Sequence, residues 1–160
     1  MQFLVFFAYI IGAILLGRIV YFFFKTVARK LSAKTKTDFD DILIDILEEP
    51  LVYLLVVYGF YLGYHHLTLS DKLFTFFNEL DENLVLVGVS WFFIAFIDKM
   101  ITHYLTPLAG KSKSDLDDHL VPLLRKLIKW VIIILTALMI VSNFGYNVTS
   151  VLAGLGIGGL

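Results

Sequence analysis

Long apolar runs are the feature that most restricts how this chain can fold. They lie at residues 3–24, 51–67, 84–104 and 127–144. A helix needs about 20 predominantly apolar residues to cross about 30 Å of hydrocarbon. The chain is 59% hydrophobic and 17% charged, whereas an average soluble domain is about 45–50% apolar and about 25% charged. The sequence therefore predicts an all-α membrane protein with four transmembrane helices.

An internal repeat groups these four spans into two hairpins. Residues 34–41 and 111–118 match at all eight positions, of which five are identical, and they lie 77 residues apart. Each copy follows one apolar run and precedes the next. The sequence therefore predicts two repeated transmembrane hairpins, at 3–67 and 84–146, joined by an outer loop at 68–83.

The acidic half of each repeat is typical of a helix start. Thr37 with Asp40, and Ser114 with Asp117, have the spacing of a capping box, and carboxylates in a first turn favour the helix dipole. A calcium loop would need a glycine and a later glutamate, which neither copy has. We expect cytoplasmic amphipathic helices, the first starting near residue 38. The helix-start residues are Thr37, Asp38, Asp40, Asp41, Ser114, Asp115, Asp117 and Asp118.

The distribution of basic residues predicts the orientation in the membrane. Residues 25–36 and 111–113 are rich in lysine or arginine, whereas residues 68–83 hold one lysine. Because cytoplasmic loops carry the excess of basic residues, the first two segments are expected inside and the N-terminus outside. After four crossings, residues 148–160 run inward.

Residues 148–160 combine small and apolar side chains without any charge. Small residues let helix backbones approach closely in lipid, where hydrophobicity does not drive helix association. The pattern predicts the start of a fifth helix, which packs either within one chain or between chains. A dinucleotide-binding loop of similar spacing would need a preceding strand. The expected packing residues are Ser150, Ala153, Gly154, Gly156, Gly158 and Gly159.

Isolated polar residues give little support for chemistry. The net charge is -1 and cysteine is absent, so we expect no nucleic-acid partner and no thiolate metal site. His65 and His66 lack a carboxylate at metal-site spacing and are interpreted as interfacial. Asp98 and Lys99 either neutralise each other or face neighbouring helices. The sequence predicts no enzyme and no catalytic, cofactor-binding or metal-ligating residue.

Residues 111–160 resemble the small-conductance mechanosensitive channel (MscS-like) family. The resemblance is carried by the acidic cluster at 114–118, the apolar span ending at Phe144-Gly-Tyr146, and the glycine-rich string at 148–160. That string is similar to the start of the family's pore-lining helix. Residues 1–110 resemble the additional peripheral spans of the five-helix members.

The resemblance implies a homo-heptamer in the bacterial inner (plasma) membrane, with membrane lipids as partners and no cofactor. It implies a channel that opens under tension and releases ions and small osmolytes on hypo-osmotic shock. Leu160 would be the first leucine of the pore constriction, so the sequence stops within the pore helix and its continuation is expected in the cytoplasm. Two alternatives stay open: a part of a secondary transporter, where internal repeats are common, and a non-conducting membrane assembly subunit.

Overall fold

The computed structural model contains four long α-helices. It describes the backbone at residues 1–28, 39–105, 116–149, 151, 153 and 154. The helices are α1 (Gln2–Phe23), α2 (Phe39–His65), α3 (Asp71–Met100) and α4 (Leu116–Asn143). None of the residues in this set is in a strand, so the predicted all-α fold is confirmed.

The helix surfaces are those of a membrane protein. Among the described residues, Gln2–Thr26 and Asp71–Leu105 are long and apolar enough to cross a bilayer, and only 11% of the most apolar window of each is buried. On α1 the side chains of Phe3 and Ile19 are 68% and 63% exposed. A core helix of a soluble protein would bury such residues. The count of four spans stays a prediction.

Each long helix packs on the one next to it in the chain. Contacts join α1 to α2, α2 to α3, and α3 to α4. The four helices therefore form a row, with α1 at one side and α4 at the other. Because α4 is the last of the four described helices, its C-terminal end leads directly to the glycine-rich segment. This end of the helix row is called the outer end, and the opposite one the inner end, after the orientation predicted from the sequence.

The helix bounds recur at the offset of the acidic repeat. α1 continues into a π-helical turn at Phe24–Ala28, and α3 into one at Ile101–Leu105. The two turns lie 77 residues apart. A π turn is rare and occurs frequently at functional sites, so both turns are candidates for a functional role.

The predicted outer loop at 68–83 is mostly helical, which corrects the sequence interpretation. Ser70 precedes the first residue of α3, Asp71. This early start has a packing reason, since the ring of Phe74 lies 5.8 Å from that of Tyr64 on α2 and Phe77 lies 5.7 Å from Phe60. Phe74 and Phe77, near the start of α3, thus pack on α2. The apolar run at 84–104 covers only the later part of α3.

A substitution in α2 tests the closest helix contact. A Cβ added to Gly59 would lie 2.2 Å from the Cβ of Ala13, whereas one added to Gly12 meets nothing within 4 Å among the described residues. We expect Gly59→Val to lower the free energy of unfolding in detergent by about 1–3 kcal/mol through overpacking. The matched control, Gly12→Val, is expected to have a smaller effect. Equal losses from the two variants would contradict the packing assignment.

Candidate functional site

The start of the glycine-rich segment is held by a defined turn after α4. Gly145 has a φ of 81°, and its N–H bonds the carbonyl of Ser142 while the N–H of Tyr146 bonds that of Val141. This is a Schellman motif, in which glycine takes the left-handed position. Asn147 Oδ1 then accepts the N–H of Thr149 at 2.9 Å, as an N-cap side chain does. The chain therefore ends one helix and starts another within a few residues.

Part of the predicted packing face can be located. Residues 149, 151, 153 and 154 are helical, and Ala153 and Gly154 are exposed. Within the described residues, nothing lies within 4 Å of where a Gly154 Cβ would stand. Its surface is therefore open in a single chain, and its packing role stays a prediction. Outside the described residues lie Ser150, Gly156, Gly158, Gly159 and the predicted constriction residue Leu160.

The acidic residues of the predicted helix starts lie at the edge of the part of the chain that the structure describes. The backbone of Asp40, Asp41, Asp117 and Asp118 is helical. Their role as helix starts stays a prediction. Outside the described residues lie Thr37, Asp38, Ser114 and Asp115.

Small residues bring α1 and α2 together. Besides Gly59 at Ala13, an added Cβ on Gly63 would lie 2.9 Å from the ring of Phe6, and one on Gly17 would lie 3.1 Å from Val52. At the outer end, Gln2 Oε1 accepts the Thr68 hydroxyl at 2.8 Å. The first hairpin is thus closely packed along its length.

Aromatic residues join α2 to α3. The rings of Tyr53 and Trp91 are 6.0 Å apart, and the Tyr53 hydroxyl donates to the carbonyl of Leu84 at 3.1 Å. A Cβ on Gly88 would lie 2.8 Å from both Tyr53 and Leu54. The helix α3 therefore has a close, continuous contact with α2.

Polar side chains join α3 to α4 at three levels. At the outer end Asn143 Nδ2 donates to Asn83 Oδ1 at 2.9 Å. In the middle the hydroxyls of Thr136 and Ser90 are 2.7 Å apart. At the inner end Arg125 forms an ion pair with Asp98. The first two bonds were not predicted from the sequence, although Ser90 and Thr136 stand as isolated hydroxyl residues inside apolar runs.

A cavity of about 450 Å³, open to the outside of the protein, lies along one side of the contact between the two helices. It lies beside the Ser90–Thr136 bond. Along this side the surfaces of α3 and α4 do not meet. The lining residues are Val87, Ser90, Trp91, Ile94, Lys129, Ile133, Thr136, Ala137 and Ile140.

The two charges at the inner end of α3 face different neighbours. Lys99 Nζ lies 3.3 Å from Asp45 Oδ2 on α2, and Asp98 pairs with Arg125 on α4. Of the two alternatives for these charges, the structure therefore has each facing a neighbouring helix. The hydrogen bond to Asp98 raises the pKa of Arg125 above its ordinary value, so its guanidinium stays charged.

The outer end carries a buried polar cluster. The side chains of Asp81 and Asn83 are 8% and 5% exposed, and Asp81 Oδ1 and Asn83 Nδ2 have no hydrogen-bond partner among the described residues. The ring of His66 bonds the hydroxyl of Tyr9 at 3.3 Å, and its interfacial role stays a prediction. In the part of the chain that is described, no three histidine or acidic side chains are grouped to hold a metal ion.

Comparison with known proteins finds that this chain is similar to mechanosensitive ion channels. A family model described as mechanosensitive ion channel, transmembrane helices 2/3, matches residues 126–160. The chain is 36% identical over 147 residues to the small-conductance mechanosensitive channel MscMJ of Methanocaldococcus jannaschii, covering 92% of this chain and 42% of that one. It is also 36% identical over 152 residues to the large-conductance mechanosensitive channel MscMJLR of the same organism, covering 94% and 42%.

A more distant relative extends the comparison to a bacterium. An uncharacterized MscS family protein of Aquifex aeolicus is 25% identical over 156 residues, covering 96% of this chain and 41% of that protein. The chain thus spans about two fifths of the length of the curated relatives that it matches. No solved structure matches it.

The hydroxyl pair between α3 and α4 gives a stability prediction. Thr136→Val keeps the shape of the side chain and removes the bonds to Ser90 and to the carbonyl of Ile132. Interhelical hydrogen bonds in membranes contribute about 0.6 kcal/mol on average and about 1.7 at most, so we expect a loss in that range. Denaturant unfolding in mixed micelles measures it. Because Ser90→Ala removes the same bond, a double variant as unstable as the sum of the two singles would contradict the pairing.

Proposed function

We propose that this chain is the membrane domain of a channel opened by bilayer tension. The premise is that the chain belongs to the small-conductance mechanosensitive channel (MscS-like) family. The single observation that carries the proposal is the pairing of two features at the end of α4. One is the family match over residues 126–160, and the other is the Asn147-capped helix start that follows the Gly145 turn. Together they support a pore-lining role for the glycine-rich segment.

Tension would act first on the lipid-facing helices. The exposed apolar side chains of α1 and α3 lie in hydrocarbon, with Phe7 56% and Phe93 49% exposed. When tension increases the area available to each protein, these helices follow the lipid because burying their apolar surface in hydrocarbon is favourable. The row from α1 to α4 transmits this displacement to the Gly145 turn.

The pore would be formed by several copies of the glycine-rich helix. Ala153 and Gly154 are exposed in a single chain, which leaves their surface available to a neighbouring copy. Small residues at such a contact let backbones approach, and Leu160 would project into a narrow apolar constriction that blocks ions by dewetting. Displacement of α4 would widen and wet this constriction. Inorganic ions and small osmolytes would then leave the cell.

The same proposal assigns location and assembly. The protein would be a multi-pass plasma-membrane protein with its N-terminus outside and the continuation of its glycine-rich helix in the cytoplasm. It would assemble as a homo-heptamer with membrane lipids around its outer helices. The support for this orientation is the basic composition of residues 25–36 and 111–113 together with the positive-inside rule.

Patch-clamp recording tests the function directly. The full-length gene product that contains this chain is expressed in cells without their own tension-gated channels, and suction is applied to membrane patches. We expect a current that appears only above a threshold of tension. Substrate uptake coupled to protons or sodium without such a current would favour a transporter, and neither activity would favour an assembly subunit.

A glycine variant tests the pore-packing role separately. Gly154→Val meets no described atom of its own chain, so we expect a folded protein whose oligomer is weakened or whose opening tension is raised. Native mass spectrometry and patch-clamp recording measure these two effects. The matched control is Gly12→Val, which is equally open but lies on α1. If Gly154→Val leaves both assembly and opening unchanged, the packing assignment is wrong.

A further inference from the structure

The two hairpins cross at corresponding positions with different chemistry. Ser90 and Thr136, which meet in the second hairpin, lie 77 residues after Ala13 and Gly59, which meet in the first. The first crossing has no room for even a Cβ on Gly59. The second holds two hydroxyl side chains, which keep the backbones further apart. The two helices of the second hairpin are therefore packed less closely than those of the first.

This loosening leaves few connections between α3 and α4. The cavity of about 450 Å³ leaves one side of the contact between them unfilled. Aromatic ring pairs join α1 to α2 and α2 to α3, whereas none joins α3 to α4 among the described residues. The three polar bonds are therefore the directional connections through which we expect force to pass from α3 to α4.

The innermost of these bonds is the strongest in kind. Arg125 donates from Nε and from a terminal nitrogen to the two carboxylate oxygens of Asp98. Such a forked, charged pair is stronger and more directional than a bond between neutral groups. The positions 77 residues earlier hold Tyr21 and Glu48. The second hairpin, which leads to the glycine-rich segment, therefore has a different pair of residue types at this place.

The position of the pair also suits the transfer of force from α2 and α3 to α4. On α3, Asp98 is adjacent to Lys99, which bonds Asp45 of α2. Two consecutive residues therefore connect α2, α3 and α4 at the inner end. The π-helical turn at Ile101–Leu105 follows directly, so the connection lies where the helix geometry changes.

We propose that, when the channel opens, α1, α2 and α3 pull α4 through the ion pair between Asp98 and Arg125. The proposal rests on the proposed channel function and adds the residues that carry the force. Without the pair, α3 would move with the lipid while α4 lags, because the cavity allows relative movement. More tension would then be needed to move α4 and the segment after it.

Charge substitutions test this in the full-length channel. Asp98→Asn and Arg125→Gln are each expected to raise the tension of half-maximal opening, or to abolish opening below the tension that ruptures the patch. The exchanged variant, Asp98→Arg with Arg125→Asp, is expected to return that tension toward the wild-type value. Single-channel conductance should stay unchanged in all of them, because the pair is not in the pore. The control Lys72→Gln removes one exposed charge at the outer end and is expected to leave the opening tension as it is.

A reversible cross-link separates transmission from simple stability. The 160 residues contain no cysteine, and the oxygens of Ser90 and Thr136 are 2.7 Å apart, so Ser90→Cys with Thr136→Cys can form a disulfide between α3 and α4. In the Arg125→Gln background, oxidation should lower the raised opening tension and reduction should raise it again. A variant that merely destabilised the fold would not respond in this reversible way.

Three outcomes overturn the proposal. An opening tension that is unchanged in both single variants shows that the pair carries no force. A lowered tension shows that the pair holds the closed state instead. Failure of both the exchange and the cross-link to restore opening shows that the substitutions act on stability. If the wild-type protein gives no tension-dependent current, the proposed function itself fails, which the wild-type recording reveals before any variant is compared.

Discussion

The contact between Ala13 and Gly59 sets the distance between α1 and α2, and the other helices are positioned from this pair. Hydrophobicity does not drive helices together in lipid, so close van der Waals packing has to do so. Gly59 allows it because a Cβ there would overlap that of Ala13. With α2 placed in this way, its other side presents Tyr53 and Leu54 to Gly88 of α3. The first three helices thus form one closely packed unit.

The fourth helix is attached in a different manner. Where α1 and α2 cross through Ala13 and Gly59, α3 and α4 cross through Ser90 and Thr136. A cavity lies beside these two residues, and an ion pair joins the helices at the inner end. Polar bonds are directional and few, whereas apolar packing is distributed over many atoms. An interface of the first kind can change by exchanging a small number of bonds. Under the proposed function, it therefore suits the boundary between a part that follows the lipid and a part that acts on a pore.

Some of this architecture could be predicted from the sequence, for identifiable reasons. The apolar runs predicted the all-α membrane fold, which the four helices confirm. The start of α3 at Asp71 was missed because the run at 84–104 reports the lipid-facing part alone, while residues before it pack on Tyr64. The partners of Asp98 and Lys99 were left open because they are 27 and 54 residues distant. Such long-range pairs depend on how whole helices lie against one another.

The length of α3 has a consequence for what the protein can sense. Its 30 residues form a rod of about 45 Å at about 1.5 Å per residue, well beyond a hydrocarbon layer of about 30 Å. Asp81 and Asn83, which precede the apolar run at 84–104, are buried. A rod longer than the layer it crosses adjusts by tilting or by projecting from it. Under the proposed channel function, thinning of the bilayer would change the angle of α3, and a projecting arm would convert a small change in thickness into a larger sideways movement.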